Sequence, residues 1–195
     1  MPSLTEPRDM AEDFIYMRFP TAARLFSDIP QIAEDMSNRP AAETAQGFLR
    51  ALLAGPIPEE AITFAAYALQ PRHAVWWAHE CLNAIGKVLT EGDRQMLALA
   101  AVWVSQPDET TRHAALAAGY GADVRGPGVW VALAAGWSGG SMAPADQPDV
   151  LTPAFLTGRA VNASVLTALA RIPIEQRRAR IGHFVSMAEV LARGS

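Results

Sequence analysis

The chain has 195 residues, half of them apolar and 18% charged, with a net charge of −4. That length and apolar content suit a single folded domain and exclude wholesale disorder. The acidic total excludes the dominant basic footprint of a nucleic-acid reader, and a lone cysteine, Cys81, excludes an intrachain disulfide.

The start, MPSLTEPRDMAEDF, lacks the apolar stretch of a signal peptide. No span reaches the roughly 18–20 apolar residues that cross a bilayer. With one cysteine, this predicts a soluble cytoplasmic protein with no membrane partner. Residues 1–20 read as an arm, with Pro2, Pro7 and Pro20 and an apolar patch at Phe14–Met17 and Phe19. The arm docks either on its own domain, residues 21–195, or on a partner.

Asp28, before Ile29-Pro30, reads as the N-cap of a short helix ending near Asn38. Ala45, Phe48, Leu49, Leu52 and Leu53 then recur at helical spacing from Ala41, and Gly55 caps that helix. Pro58-Glu59-Glu60 opens a helix to about Leu69, and Pro71 opens another to Leu89. Thr90-Glu91-Gly92-Asp93 has the form of a capping box, and the apolar run after it predicts a central buried helix. Pro107-Asp108-Glu109 opens a helix stopped by Gly119 and Gly121.

GPGVWVALAAGW (126–137) reads as one more helix, although its Val and Trp residues also suit a strand. Residues 138–152 form an irregular loop. Thr152-Pro153 starts a helix through Arg171, and Pro173 separates it from a last helix faced by Ile181, Phe184, Val185, Ala188 and Leu191. The expectation is all-α: an irregular bundle of about eight helices of 12–19 residues. A solenoid of helical pairs is the alternative arrangement, since pairs recur at about 35–40 residues.

Gly136-Trp137-Ser138-Gly139-Gly140 fits the G-x-S-x-G pattern of a nucleophile elbow, and Ser138, Asp149 and His183 follow the hydrolase order. An elbow needs a helix directly after its serine and several parallel strands. Here GGSMAPADQPD follows, one stretch at most suits a strand, and His183 falls within a helical stripe. The loop Trp137, Ser138, Gly139, Gly140 and Ser141 therefore reads as a helix stop. A phosphate loop is excluded because Lys87 is the only lysine.

PRHAVWWAHECLNAIGK (71–87) holds two His, a Cys and a Glu. Cys81 lies about 160° from His79, and His73 and His79 share no face, so no metal is expected. No cofactor motif is present either. His73, Trp76, Glu80, Asn83 and Lys87 form a polar stripe within about 80° of arc. Trp77 instead shares an apolar face with Cys81 and Val88. An aromatic amid charges is favoured at protein contacts, so Trp76 marks either such a surface or a place covered by the arm or a neighbouring helix.

Residues 151–195 carry six Arg against Glu175 and Glu189. Arg171, Arg177, Arg178 and Arg180 can bind phosphate or an acidic partner, or form a solvated face.

AVWWAHECL (74–82), WSGGSMAP (137–144) and LTGRAVNASVLTALAR (156–171), in that order and spacing, resemble an uncharacterised family of proteobacterial proteins often encoded near type VI secretion genes. The resemblance spans residues 41–192. It departs at VLTPAFLTG (150–158), where a more Pro-rich lead-in is expected, and it carries over no catalytic residues. It implies a secretion-associated accessory role in a bacterium.

The sequence thus predicts a non-enzymatic accessory or adaptor protein that binds a protein partner. Its surface is expected at His73, Trp76, Glu80, Asn83 and Lys87, with Arg177 and Arg178. The alternatives are an enzyme with a site at the 136–146 loop and an immunity-type inhibitor of a toxin.

Overall fold

The computed structural model describes residues 15–41, 44–144 and 147–194. Short polar side chains set several helix starts by accepting from otherwise unpaired first-turn amides. Thr21 accepts from Arg24 N, Thr44 from Gly47 N, and Asp108 from Thr111 N. Thr90 and Asp93 complete a reciprocal capping box. Among the described residues the helices are α1 (Ala22–Asp28), α2 (Ile32–Asp35), α3 (Ala45–Ala54), α4 (Glu59–Ala68), α5 (Pro71–Ala84), α6 (Glu91–Ser105), α7 (Glu109–Gly121), α8 (Pro127–Gly136), α9 (Leu156–Ala170) and α10 (Ile174–Arg193). No strand forms among these residues, only three isolated bridges. The fold is all-α.

Two short helices form the centre. In α4 and in α8, nine of ten residues are buried. Helix α8 packs against α6, α7 and α9, while α9 also lies on α4 and α5. Helix α10 covers α3, α4 and α5. Such contacts between helices distant in sequence differ from the neighbour-only stacking of a solenoid, and the arrangement is an irregular bundle.

Alanine and glycine let these helices approach closely. A Cβ on Gly128 would stand 2.3 Å from the Asp93 carbonyl oxygen, so α8 meets α6 backbone to backbone. The same junction holds the buried Asp93 carboxylate, which accepts from Gly128 N at 3.0 Å and from Arg171 Nη1 at 2.6 Å. Burial raises the Asp93 pKa, but Arg171 and the Gly128 and Thr90 donors outweigh it and hold the carboxyl below its ordinary range.

Several expectations are corrected. Asp28 ends α1 rather than capping a later helix, because Thr21 supplies the cap seven residues earlier and Arg24 pairs with Asp28 across one turn. Helix α5 stops at Ala84, since Ile85 turns into the core and Gly86–Val88 tightens to a 3-10 turn. Helix α6 is not central: only Asp93, Leu97, Ala100 and Trp103 are buried, and Val102 is half exposed. Gly119 does not stop α7; it lies inside it, where the Leu133 side chain occupies the space of a Cβ. Helix α9 starts at Leu156, because Thr152 is drawn to the Gly140 carbonyl instead of capping.

Residues 15–20 pack onto the domain. Tyr16 N donates to Ala192 O, Gln70 N to Tyr16 O, and Arg18 N to Ala68 O, while Met17 is buried. Residues 1–14 of the expected arm lie outside the described residues.

Candidate functional site

Helix α5 divides its aromatic pair between core and surface. Ala74, Val75, Trp77, Ala78, Cys81 and Leu82 are buried. The Trp77 indole N–H donates to the Phe184 carbonyl at 2.9 Å, fixing α5 to α10. Trp76, one residue and about 100° away, is only partly covered. Its ring stacks on His79 at 4.8 Å, and the Glu80 carboxylate and Asn83 amide both reach His79 Nδ1.

Trp76 and Leu191 together line two adjoining basins. Between α5 and α10 lies one of about 350 Å³, completed by Trp77, Glu80, His183, Met187 and Val190. Between α5 and α6 lies one of about 510 Å³, completed by Arg72, His73, Val104 and Ser105. The result is a groove with apolar walls and a sparse polar rim. Val190, which lines the first basin, is 50% exposed, and Val102, beside Ala101 of the second, is 49% exposed.

The second basin's rim is positive. Arg72 donates Nε–H to the Val104 carbonyl. Tyr16 stacks on His73 with ring centroids 3.8 Å apart. Burial, and secondarily Arg72, lower the His73 pKa and favour its neutral form. The Cys81 thiol is deeply buried, and that burial pushes its pKa well above the ordinary thiol value, which leaves it inert as a nucleophile.

Of the expected surface, the structure brings His73, Trp76 and Glu80 to this groove. Asn83 is exposed on the last turn of α5, and Lys87 belongs to the 3-10 turn, so neither lines a basin. Arg177 closes the end of α9 by donating to Ile172 O and Ala170 O. Arg178 is exposed roughly 20 Å along α10 from Leu191, at 1.5 Å per residue. The residues that sequence reasoning missed are Arg72, Val104 and the α10 set His183, Met187, Val190. A signal for the last existed: 183, 186, 187 and 190 repeat at helical spacing beside the core stripe, and two of them are apolar.

The loop candidate is organised as a helix end. Buried Arg112 donates Nη1–H to the Gly136 carbonyl at 2.6 Å and to the Ser141 carbonyl at 2.9 Å. Ser138 Oγ donates to Ala135 O at 2.6 Å, and the Trp137 indole donates to Tyr120 Oη at 3.0 Å. Gly140 takes a left-handed φ of 61°, where side chains are strained, and Gly139 lies beside it in the turn. Ser141 Oγ accepts from Ala143 N and Val150 N. The next helix begins only at Leu156, and His183 lies in the Trp76 groove. No base and no helix N-terminus therefore meet the Ser138 hydroxyl among the described residues. Nor do these residues gather three His, Cys, Asp or Glu side chains about a metal-sized centre. No helix among them is long and apolar enough to cross a membrane.

Neither a curated protein nor a solved structure matches the chain. One family model does match, over residues 48–192, from within α3 to the end of α10, and it takes in both the groove and the loop. The chain belongs to that family, a family of unknown function, DUF6931.

Proposed function

We propose that this protein is a non-enzymatic accessory or adaptor factor that docks a partner protein across the Trp76 groove. The observation that supports this reading is the placement of Trp76: a mostly but not fully covered indole at the shared wall of two apolar basins, with partly exposed aliphatic residues at their margins. Tryptophan in such a setting supplies a large contact area at little conformational cost, and interface energy concentrates in residues of this kind. The resemblance of AVWWAHECL, WSGGSMAP and LTGRAVNASVLTALAR to proteins encoded near type VI secretion genes makes a secretion component the partner of choice, in the bacterial cytoplasm.

Site-specific photo-crosslinking in the native cell tests the reading. A crosslinking amino acid at Met187, in the groove, should give a discrete adduct that Trp76→Ala abolishes. The same group at Val124, 77% exposed on the α7–α8 connection, should give none. Equal adducts from both positions, or adducts that survive Trp76→Ala, would defeat the docking assignment. An adduct with a protein unrelated to secretion would defeat only the type VI link.

A further inference from the structure

Helix α5 carries a row of three residues that is its own complement. Arg72, Trp76 and Glu80 follow at i, i+4 and i+8, so they form one ridge along the helix. Trp76 stands in the middle, with a cation four residues before it and a carboxylate four residues after it. The two charges lie roughly 12 Å apart at 1.5 Å per residue, too far to pair with each other.

Neither charge is answered within its own domain. Arg72 is exposed and donates Nε–H to the Val104 carbonyl, and no carboxylate among the described residues lies within ion-pair reach of it. The Glu80 side chain is 39% exposed and contacts His79, but no Arg or Lys among these residues. Between them, partly buried Trp76 opens onto the apolar basins of about 350 and 510 Å³. A partner that fits presents an acid and a base in the reverse order, roughly 12 Å apart, with an apolar group midway.

The chain itself presents that order. A two-fold axis beside Trp76 sets two α5 helices antiparallel, and position 72 of each copy then faces position 80 of the other. Rows spaced by four residues interdigitate when two helices cross at about 50°, the commonest packing class. His73 and His79, three residues to either side of Trp76, face each other in the same way. Burial keeps His73 toward its neutral form, so this second pair adds no like-charge repulsion. We propose that the groove's occupant, when no other protein is bound, is a second copy of this chain, with Arg72 set against the partner's Glu80 on both sides of the two Trp76 rings. This rests on the reading of the groove as a docking surface and names the partner that the charge order selects.

Analytical ultracentrifugation of the purified chain tests the proposal. At about 100 µM the protein is expected to sediment as a dimer. Arg72→Glu or Glu80→Arg alone sets like charges together on both sides of the axis and should weaken the dimer at least about tenfold. An equimolar mixture of the two variants restores opposite charges at both contacts, so native mass spectrometry should show mixed dimers in excess over either homodimer. The double variant reverses the whole row and should dimerise like the wild type. A monomeric wild type overturns the proposal, and so does a dimer that both single changes leave intact or that neither the mixture nor the double variant recovers. Because Arg72→Glu also removes the donor to Val104, a second measurement keeps the native charges. A nitroxide at Asn83→Cys, with Cys81 fully buried and unlabelled, should give an electron spin distance of roughly 20–30 Å between copies, since each label lies seven residues from the axis. An absent distance, or one beyond about 40 Å, overturns the antiparallel α5 contact. These samples hold no other protein, so their failure leaves the crosslinking result at Met187 to stand or fall separately.

Discussion

Trp77 and Phe184, from helices more than 100 positions apart in the chain, are both fully buried and joined by an indole-to-carbonyl hydrogen bond of 2.9 Å. The bond satisfies the one polar atom of the largest fully buried side chain among the described residues, which makes Trp77 a fastener between α5 and α10. Its neighbour Trp76 has no such bond among the described residues and stands at the groove. Trp77→Ala should therefore cost about 3–5 kcal/mol through cavity formation and the lost bond. Trp76→Ala should cost clearly less than Trp77→Ala, because its ring is only partly buried and closes no core site. Urea unfolding of the two variants measures the difference, and equal losses would make Trp76 an ordinary core residue.

The Asp93 junction predicts an acid limb in stability. Its folded pKa lies below the unfolded value of about 3.9, so its contribution is complete above that pH and fades as pH falls through the folded pKa. Buried Glu60, held by the Ser37 and Asn38 amides against its own desolvation, works in the same direction. Asp93→Asn should cost about 3 kcal/mol at neutral pH, the lower end for a broken buried pair, because Arg171 remains about a third exposed. The variant should also lose stability less steeply between pH 5 and 3, as read by chemical denaturation across that range. A parallel acid limb in wild type and variant would remove Asp93 as its source.

Gly128 depends on the same junction. A methyl there would meet the Asp93 backbone at 2.3 Å, and backbone cannot rotate away, so α8 would have to shift from α6. Gly128→Ala should cost at least about 1–3 kcal/mol despite its better helix propensity. Gly121→Ala, where nothing stands within 4 Å of the new Cβ, serves as the comparison and should be neutral or slightly stabilising. Thermal unfolding of the pair decides, and a stable Gly128→Ala would show that α8 and α6 are not in backbone contact at this point.

Much of this architecture was legible from local chemistry. The Thr90–Asp93 box, the Pro58 and Pro71 starts and the α10 core stripe all follow from side chains acting on their own helix. What escaped depends on partners distant in sequence. Asp93 reads as a cap, yet its second role appears only when α8 and Arg171 meet it. Helix α6 reads as central from apolar content, but α8, rich in Ala and Gly, takes the centre because its small residues permit closer approach. Trp76 was distinguishable from Trp77 by angle alone. Its groove was not, because α6 and α10 supply the facing walls.

Ser138 should behave as a structural hydroxyl. Its proton is directed at the Ala135 carbonyl, and no base approaches it among the described residues. Ser138→Ala should cost about 1 kcal/mol, the net value of one hydrogen bond. A fluorophosphonate probe should leave the wild-type serine unmodified. Covalent labelling at Ser138, found by peptide mass spectrometry, would restore the nucleophile reading that the G-x-S-x-G pattern suggests.

Arg112 holds the loop that follows. It is 3% exposed, and its guanidinium joins Glu109 to the Gly136 and Ser141 carbonyls, the first at a helix end and the second within the loop. Glu109 is pulled below its ordinary pKa chiefly by Arg112. The pair is one-sided, though, because Glu109 is 67% exposed and stays hydrated without its partner. Removing the arginine therefore acts mainly through the carbonyls it leaves unpaired, at about 1–3 kcal/mol for a buried acceptor. Arg112→Met keeps most of the stem's packing while deleting every donor, so the loss should be local. Hydrogen exchange should accelerate at Met142 N, bonded to Val150 O, and at Thr152 N, bonded to Gly140 O. The amides of α10 near Phe184 should keep their protection, since α10 packs against α3, α4 and α5. Unchanged exchange at Met142 and Thr152 would mean that the Ser141–Leu151 bridge and the Thr152 contacts hold the loop without Arg112.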